Sequence, residues 1–250
     1  MKILMIRHGE PDYTIDSLTP KGWREAEILA GRLAGIQNPD VYCSPLGRAQ
    51  DTARATLAKT GWQMETLPWL AEFRGEIWHP EADRMDIPWD LPPLFWTAEP
   101  RFFSTEHWAE PALFDGSAVA AVWEETKQGL DALLGRYGYR RDGMIYRCGK
   151  NLDKTLLLFC HFGISAAMCA YLLGISPMVM WHGFIMAPTS VTTLVTEERT
   201  PGQVFFRCNG FGDVSHLYAA GEPVSPAGVF PEIYTEKNGG RVYERVPEEE

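Results

Sequence analysis

An arginine and a histidine stand side by side directly after the first apolar run of the chain. The run is Met-Lys-Ile-Leu-Met-Ile at residues 1–6, and Arg7-His8-Gly9-Glu10 follows it. Ligands bind outside the carboxyl ends of strands in an open parallel sheet, so a strand over this run would present both side chains to that crevice. A guanidinium matches phosphate oxygens, and an imidazole can accept a phosphoryl group covalently. The pair indicates phosphoryl chemistry, although a single histidine after a strand is more often a structural hydrogen-bonding group.

A second histidine occupies the same kind of position later in the chain. Leu156–Cys160 predicts a buried strand, and His161-Phe162-Gly163 turns from it into a helix. Two such strands in one sheet would bring His8 and His161 to one crevice. Cys160 precedes His161 and raises a cysteine–histidine alternative, but adjacent strand residues point to opposite faces, which disfavours that pair.

A further cation and a carboxylate follow other predicted elements. Asp40-Val41-Tyr42-Cys43 predicts a short strand, and Arg48 lies just beyond it at the start of a helix. Helix-terminal amides and an arginine can jointly hold an anion at such a position. Arg48 could instead cap the helix or pair with Asp51. Glu72, within Leu70-Ala71-Glu72-Phe73-Arg74-Gly75, places a carboxylate beyond another apolar stretch.

The chain predicts a scaffold of alternating strands and helices for these residues. Thr19 is predicted as an N-cap, and Pro20 suits the first position of the helix that follows. Strand, helix, strand, helix is the order typical of a parallel sheet with helices on its faces. An amphipathic helix over 117–137 comes later, and Asp142-Gly143 predicts a hairpin turn.

We predict an α/β fold of the three-layer sandwich type, with a mostly parallel central sheet and helices on both faces. Strands over residues 190–196 and 204–208 would complete that sheet. Residues 1–220 are interpreted as a single domain. Residues 221–250 are interpreted as a C-terminal extension, because they begin in a proline- and glycine-rich stretch without strong periodicity.

Residues 77–114 do not follow the alternation of strands and helices and are interpreted as an insertion or cap within the domain. The segment is rich in proline, has weak periodicity, and is too aromatic to be disordered. A satellite core without a substrate role and a lid over the substrate both remain open. The aromatic side chains suggest a substrate with an apolar or ring-bearing part. Four tryptophans carry this hypothesis: Trp78, Trp89, Trp96 and Trp108.

Composition and charge narrow the class of partner. The 250 residues are 45% hydrophobic and 22% charged, with a net charge of −10. Such a balance is ordinary for a globular protein and argues against binding nucleic acid or an anionic membrane. No secretory signal pattern or run of about 20 apolar residues occurs. We expect a small phosphorylated substrate as the partner, no nucleic acid and no membrane, while a homodimer is compatible with the sequence.

The five cysteines form no CxxC pair and no cluster with metal-ligand spacing. Their odd number and apolar surroundings predict reduced thiols and a cytoplasmic location. We therefore expect neither a metal nor another cofactor.

Together these motifs resemble the histidine phosphatase superfamily, and in particular its phosphoglycerate mutase-like branch. The likeness covers residues 1–75 and 155–217, and Phe162 departs from it because the family more often has a small residue there. It is carried, in chain order, by Arg7-His8-Gly9-Glu10, Leu18–Gly22, Ser44–Ala53, Glu72 with Gly75, His161-Phe162-Gly163, and residues 190–192 and 209–217.

The resemblance implies hydrolysis of a phosphomonoester through a phosphohistidine on His8, without a metal. Glu72 would protonate the leaving oxygen and later activate water, and Glu76 is its rival for that role. Positive charge would replace a metal around the transferred group. Three side chains would surround that group: Arg7, Arg48 and His161.

The residues after the nucleophile separate a phosphatase from a mutase. Mutases of this branch carry a serine and an asparagine shortly after the glycine, whereas this chain has Glu10-Pro11-Asp12-Tyr13-Thr14. Pro11 lacks a backbone donor, and Asp12 would repel a substrate carboxylate or second phosphate. Pro11 also replaces the hydroxyl residue common in the phosphatases. We expect hydrolysis of a small phosphorylated metabolite; mutase-type transfer and a non-catalytic phosphoryl- or protein-binding module are the alternatives.

Overall fold

The computed structural model describes residues 1–79, 83–149 and 152–230. Within these ranges the strands are β1 (Lys2–Arg7), β2 (Pro11–Asp12), β3 (Ser17–Leu18), β4 (Asp40–Cys43), β5 (Met64–Thr66), β6 (Ile77–His79), β7 (Arg84–Asp86), β8 (Tyr139–Asp142), β9 (Ile145–Cys148), β10 (Thr155–Cys160), β11 (Val191–Thr200) and β12 (Gln203–Asp213). The α-helices are α1 (Pro20–Leu33), α2 (Gly47–Thr60), α3 (Pro93–Ala98), α4 (Val119–Gly135), α5 (Phe162–Leu173), α6 (Pro177–Gly183) and α7 (Ser215–Ala220). Short 3-10 helices cover Pro68–Leu70, Pro88–Asp90, Pro100–Phe103 and Ala112–Phe114.

A central sheet joins eight of the described strands in the order β5-β4-β10-β1-β11-β12-β9-β8. The first four strands of that order run parallel to one another. From β11 onward each strand is antiparallel to its neighbour. The carboxyl ends of β4, β10 and β1 therefore meet at one edge, where a ligand crevice is expected.

The three-layer prediction is confirmed, and the sheet as a whole is mixed. Its parallel half is built from strand–helix–strand units, as the sequence order predicts. The other half contains the predicted Asp142-Gly143 hairpin between β8 and β9, and a second turn at Gly202 joins β11 to β12. A tight turn can join only antiparallel neighbours, so "mostly parallel" applies to the half that carries the candidate site.

Alternate residues of β1 enter two separate cores on the two faces of the sheet. Ile3 and Met5 belong to the larger core, which also takes side chains from α4, α5 and α6. Leu4 and Ile6 belong to the core beneath α1 and α2. Burial on both faces explains why this strand is a continuous apolar run rather than an alternating one.

The helices that border the crevice begin where the sequence predicts them. Thr19 caps α1, and its Oγ1 accepts a hydrogen bond from the Gly22 N–H at 3.0 Å. Helix α2 begins at Gly47, beside Arg48, and α5 begins at Phe162, directly after His161. The candidate site thus lies at the junctions between strands and helices.

The described part of residues 77–114 packs onto the main domain, and positions 80–82 of this segment lie outside the described residues. Trp108 is buried, and its ring contacts Trp123 of α4 and Trp181 of α6 edge-on, each at a centroid distance of 5.5 Å. Trp78, in contrast, is 51% exposed. The described part of this segment therefore shares the larger core.

The C-terminal stretch up to residue 230 folds back onto the first part of the chain. Glu222 forms an ion pair with Lys21 at 2.8 Å, and the Ser225 hydroxyl donates to Glu10 Oε2 at 2.6 Å. The division into a domain over 1–220 and an extension over 221–250 stays a prediction, and residues 231–250 lie outside the described ranges. None of the described helices is long and apolar enough to cross a membrane.

Candidate active site

The two histidines that follow β1 and β10 are neighbours. The strands pair in parallel register with Arg7 opposite Cys160, so the next residues emerge side by side. The His8 N–H donates to the Cys160 carbonyl at 3.0 Å, and the rings of His8 and His161 are 5.1 Å apart between centroids. The predicted convergence of both side chains on one crevice is thus observed.

The ring of His8 is buried and oriented by a backbone carbonyl. Its Nδ1 lies 2.8 Å from the Gly9 carbonyl oxygen. Burial, and next the charge of Arg7, hold the pKa of His8 well below its usual value. The ring is therefore neutral near pH 7. Since a carbonyl only accepts, Nδ1 carries the proton and Nε2 keeps a free lone pair. Burial outweighs the arginines that the sequence predicted as the cause.

The backbone beside His8 is held from two sides. Gly9 approaches Gly22 so closely that a Cβ on Gly9 would lie 2.7 Å from the Gly22 carbonyl oxygen. The Gly9 N–H donates to Thr52 Oγ1 of α2 at 2.9 Å. On the other side, the Thr189 N–H donates to the His8 carbonyl at 3.2 Å. Thr189 adopts a φ of 56°, a conformation that a β-branched residue rarely takes, so the surrounding fold maintains some local strain here.

His161 is held through its other ring nitrogen. Its Nε2 lies 2.7 Å from Ser44 Oγ, which also accepts a hydrogen bond from the Leu46 N–H at 3.2 Å. Burial, followed by electrostatic coupling to His8 and then to Arg48 and Arg7, lowers the pKa of His161 well below its usual value. Its Nδ1 is buried and has no hydrogen-bond partner among the described residues.

The two arginines reach the same region from β1 and α2. Arg7 Nη1 donates to the Met186 carbonyl at 2.6 Å. Arg48 Nη1 pairs with Asp16 Oδ1 at 2.5 Å, while Asp16 Oδ2 accepts the Gly47 N–H at 2.7 Å. A carboxylate thus occupies the N-terminus of α2, where an anion is favoured. Arg48 pairs with Asp16 rather than with Asp51, the partner that the sequence suggested.

Glu72 lies at the N-terminus of α5. Its Oε1 accepts the N–H groups of Phe73 at 2.8 Å and Ile164 at 3.0 Å. Burial raises the pKa of Glu72, although these amides and Arg48 favour the charged form. Because Oε1 is engaged by two donors, Oε2 is the oxygen available for a proton. Glu76, its rival, is exposed.

The family comparison agrees with this geometry. The family model for the histidine phosphatase superfamily (branch 1) matches residues 3–209. The chain belongs to that superfamily.

Relatives of this chain include a phosphatase and a mutase, each of which resembles a different share of it. The adenosylcobalamin/alpha-ribazole phosphatase of Escherichia coli K12 is 25% identical over 191 residues, which are 73% of this chain and 84% of that enzyme. A 2,3-bisphosphoglycerate-dependent phosphoglycerate mutase of Thermoplasma acidophilum is 48% identical over 65 residues, 22% of this chain and 32% of the mutase. Among solved structures, a phosphoserine phosphatase from Entamoeba histolytica in complex with phosphoserine has a TM-score of 0.58 and 21% identity; the match covers 86% of this chain and 98% of that one. That structural likeness shows the shared fold.

Sequence patterns did not indicate two polar groups of the candidate site. Ser44 lies within a quoted motif, but its contact with His161 depends on how β4 and β10 pair. Asp16 belongs to a loop and has a φ of 48°, so its approach to Arg48 has no sequence signal beyond its charge. Cys160, weighed as a nucleophile, is buried with its pKa raised to about 12 by burial, and it contacts Ser165 at 3.0 Å.

Metal-ligand geometry and the other histidines complete the description of the site. Across residues 1–79, 83–149 and 152–230, no three histidine, cysteine, aspartate or glutamate side chains are grouped to hold a metal ion. His182 borders an aromatic cavity next to the site. His216 is buried behind the site, with its Nε2 3.2 Å from Thr189 Oγ1, whereas His107 is exposed and pairs with Glu110.

Proposed function

We propose that this protein hydrolyses a small phosphomonoester through a phosphohistidine on His8. The observation that carries the proposal is the state of the His8 ring. It is buried and neutral, and its Nδ1 donates to the Gly9 carbonyl, which leaves Nε2 as a nucleophile. Phosphatases among the relatives, with adenosylcobalamin/alpha-ribazole and phosphoserine in their names, support a small phosphorylated metabolite as the substrate class.

In the first half-reaction His8 Nε2 attacks phosphorus, forming a P–N bond as the bond from phosphorus to the ester oxygen breaks. Glu72 Oε2 gives its proton to the departing oxygen, and the alcohol leaves. Arg7 and Arg48 stabilise the charge on the equatorial oxygens. The Ser44 hydroxyl can donate to His161 Nε2, which makes the unpartnered Nδ1–H of His161 a further donor to the phosphoryl group.

In the second half-reaction the carboxylate of Glu72 takes a proton from water. The water oxygen attacks phosphorus, the P–N bond breaks, and inorganic phosphate leaves with His8 neutral again. Every proton in this cycle is carried by Glu72 or water, and the positive charge comes from the two arginines. We therefore propose a reaction that needs no metal and no other cofactor.

Trapping the phosphoenzyme tests the proposal directly. Incubation with p-nitrophenyl phosphate, an alkaline quench and intact-protein mass spectrometry should show one added phosphoryl group that is acid-labile. His8→Ala should abolish both the adduct and turnover. His107→Ala, which changes an exposed histidine outside the site, should retain them. Turnover without an adduct that depends on His8 would contradict the proposed mechanism.

The role of Glu72 predicts a pH dependence that varies with the leaving group. Because burial raises the pKa of Glu72, its acid form persists to higher pH than that of an ordinary carboxyl and is lost as pH rises through the raised pKa. The kcat/KM for an alkyl phosphate should fall as pH rises through the pKa of Glu72. The leaving group of p-nitrophenyl phosphate needs no proton, so kcat/KM for this ester should show no such fall in the same pH interval. The lowered pKa of His8 keeps the nucleophile neutral throughout this interval.

Glu72→Gln separates the two half-reactions. With p-nitrophenyl phosphate this variant should still be phosphorylated, and the adduct should accumulate because no base activates water. For alkyl phosphates, the fall of kcat/KM at alkaline pH should disappear in this variant. Their kcat/KM should also be about 10²–10⁴-fold lower. An unchanged pH profile in Glu72→Gln would assign the proton to another group. Loss of the alkaline fall in Glu76→Gln would assign it to Glu76.

A further inference from the structure

An aromatic cavity of about 550 Å³ opens beside the candidate site. Tryptophans from the insertion and from α6 line it together with Phe162, the first residue of α5. Trp89 contacts Phe162 and Trp181 at centroid distances of 6.0 and 5.7 Å. Trp96 stacks on His182 at 4.7 Å with an interplanar angle of 19°. The volume falls within the range of small-molecule sites.

This cavity shares its walls with the phosphoryl site. Phe162 directly follows His161, and Met186, which lines the cavity, accepts the hydrogen bond from Arg7. Trp89 packs on Gly163, where a Cβ would clash with the indole and lie 2.9 Å from Glu72 Oε1. A phosphoryl group at His8 would therefore leave its ester substituent at the mouth of the cavity.

Charge in the cavity points to a particular kind of substituent. Among its described lining residues Asp90 is an acid, and none is a lysine or arginine. Burial lowers the pKa of His182 to about 4, so its imidazole is neutral at pH 7 and adds an uncharged ring. A second carboxylate or phosphate on the substrate would lose hydration here without meeting a cation. An apolar ring would instead replace water against aromatic surfaces.

We propose that the substrate is a monophosphate ester whose alcohol carries an uncharged, ring-bearing apolar group, which binds in this cavity. The proposal rests on the proposed function and names the substrate class of that same site. The phosphoryl group supplies the only charge that the site recognises. Binding energy from the ring is then available to hold the ester in line with His8.

A panel of primary alkyl phosphates tests this class, because matched leaving groups remove differences in intrinsic reactivity. 2-Phenylethyl phosphate and 2-(1-naphthyl)ethyl phosphate represent the ring-bearing class. Glycerol 3-phosphate, phosphoserine and 3-phosphoglycerate represent polar and charged alcohols. We expect kcat/KM to be about tenfold to a hundredfold higher for the ring-bearing esters, as burial of one ring implies.

Two tryptophans of the insertion give a matched pair of variants. Trp96→Ala should remove most of that preference, mainly by raising KM for the ring-bearing esters. Trp78→Ala should leave the preference intact, because Trp78 lies in a separate groove. Ile185 is 62% exposed at the cavity, so Ile185→Arg should fold and shift the preference toward 3-phosphoglycerate.

The outcomes of these experiments distinguish failure of this inference from failure of the proposed function on which it rests. Hydrolysis through His8 with equal or better kcat/KM for the charged esters would overturn the substrate class and leave the phosphatase proposal standing. Equal effects of Trp96→Ala and Trp78→Ala on all esters would also overturn it. Failure of every ester, with no adduct on His8, would overturn the proposed function and this inference with it.

Discussion

The proposed phosphoryl site and the aromatic cavity adjoin each other, but different kinds of side chain build them. The site gathers two arginines and two histidines from the ends of neighbouring elements, and hydrogen bonds such as Arg7 to Met186 and Ser44 to His161 hold them. The cavity is lined largely by rings and aliphatic side chains, and ring contacts such as Trp89 with Trp181 hold it. Polar groups with set directions suit a reaction common to many esters, whereas an apolar wall discriminates among their alcohols.

Their different scaffolds indicate how each could change. The site depends on parallel pairing of β1 with β10, which involves six consecutive residue pairs and a buried core. The cavity takes one wall from the insertion and another from α6 and the segment after it. Substitutions in the cavity should therefore alter which ester is hydrolysed, while substitutions in the site should lower the rate for all esters.

Among the substitutions that compare these two regions, removing Arg48 gives the largest expected effect, and it tests the uniformity of the site. Arg48→Ala should lower kcat/KM by about 10²–10³-fold, the usual cost of removing one donor to a developing negative charge. The loss should be the same factor for 2-phenylethyl phosphate and glycerol 3-phosphate. Arg54→Ala is the control, since Arg54 lies on the same helix, is 63% exposed and pairs with Asp51. A loss confined to one ester would show that Arg48 acts on the alcohol and would break the contrast between the two regions.

Sequence patterns predicted the candidate site because its polar residues follow predictable elements. His8 and His161 each come directly after an apolar run, and pairing of those strands was enough to bring them together. The cavity had no comparable signal. Trp89 and Trp96 stand in the sequence as aromatic residues of an unusual segment, but their contacts with Phe162 and His182 join residues distant in sequence. Which tryptophan lines the cavity depends on tertiary packing, which leaves no periodic pattern in the sequence. Trp78 belongs to the same segment but does not line the cavity.

Asp16 illustrates a second limit of sequence reasoning. Its pairing with Arg48 and its hydrogen bond to Gly47 require a loop that brings it back to the start of α2. A Cβ on Gly47 would collide with the Asp16 carbonyl oxygen, so the close approach itself depends on glycine. Such contacts depend on the path of a loop. A single sequence shows which loop residues are charged or flexible, but not where the loop places them.

Gly163 is where the two regions touch, and its substitution should disturb both. In Gly163→Ala the added methyl would meet the Trp89 ring and approach Glu72 Oε1 at 2.9 Å. Overpacking should destabilise the fold by about 1–3 kcal/mol, offset in part by the better helix propensity of alanine. Thermal unfolding should show the loss, and the preference for ring-bearing esters should weaken together with the overall rate.

Gly183→Ala is the matched control, because Gly183 ends α6 next to the cavity and a Cβ there meets nothing within 4 Å. It should keep both stability and preference. Equal behaviour of Gly163→Ala and Gly183→Ala would show that Trp89 does not pack on α5 in solution. It would contradict the conclusion that the site and the cavity share a wall.

Gly228 gives the smallest effect and tests whether the C-terminal stretch belongs to the phosphoryl site or only to the cavity. Gly228 has a φ of 83°, and a Cβ there would press on the Arg7 guanidinium. Gly221 has a similar φ of 69°, but a Cβ there meets nothing within 4 Å. Alanine at either position should cost about 1–2 kcal/mol of backbone strain.

Only Gly228→Ala should also displace Arg7 from its hydrogen bond to the Met186 carbonyl, because only there would the added Cβ press on the guanidinium. We expect about a tenfold lower kcat/KM for every ester in Gly228→Ala and a nearly unchanged value in Gly221→Ala, with initial rates measured well below the unfolding temperature of both. Equal activities would mean that residues 222–230 do not lie over Arg7 in solution. A loss for ring-bearing esters alone would mean that they serve the cavity without reaching the phosphoryl site.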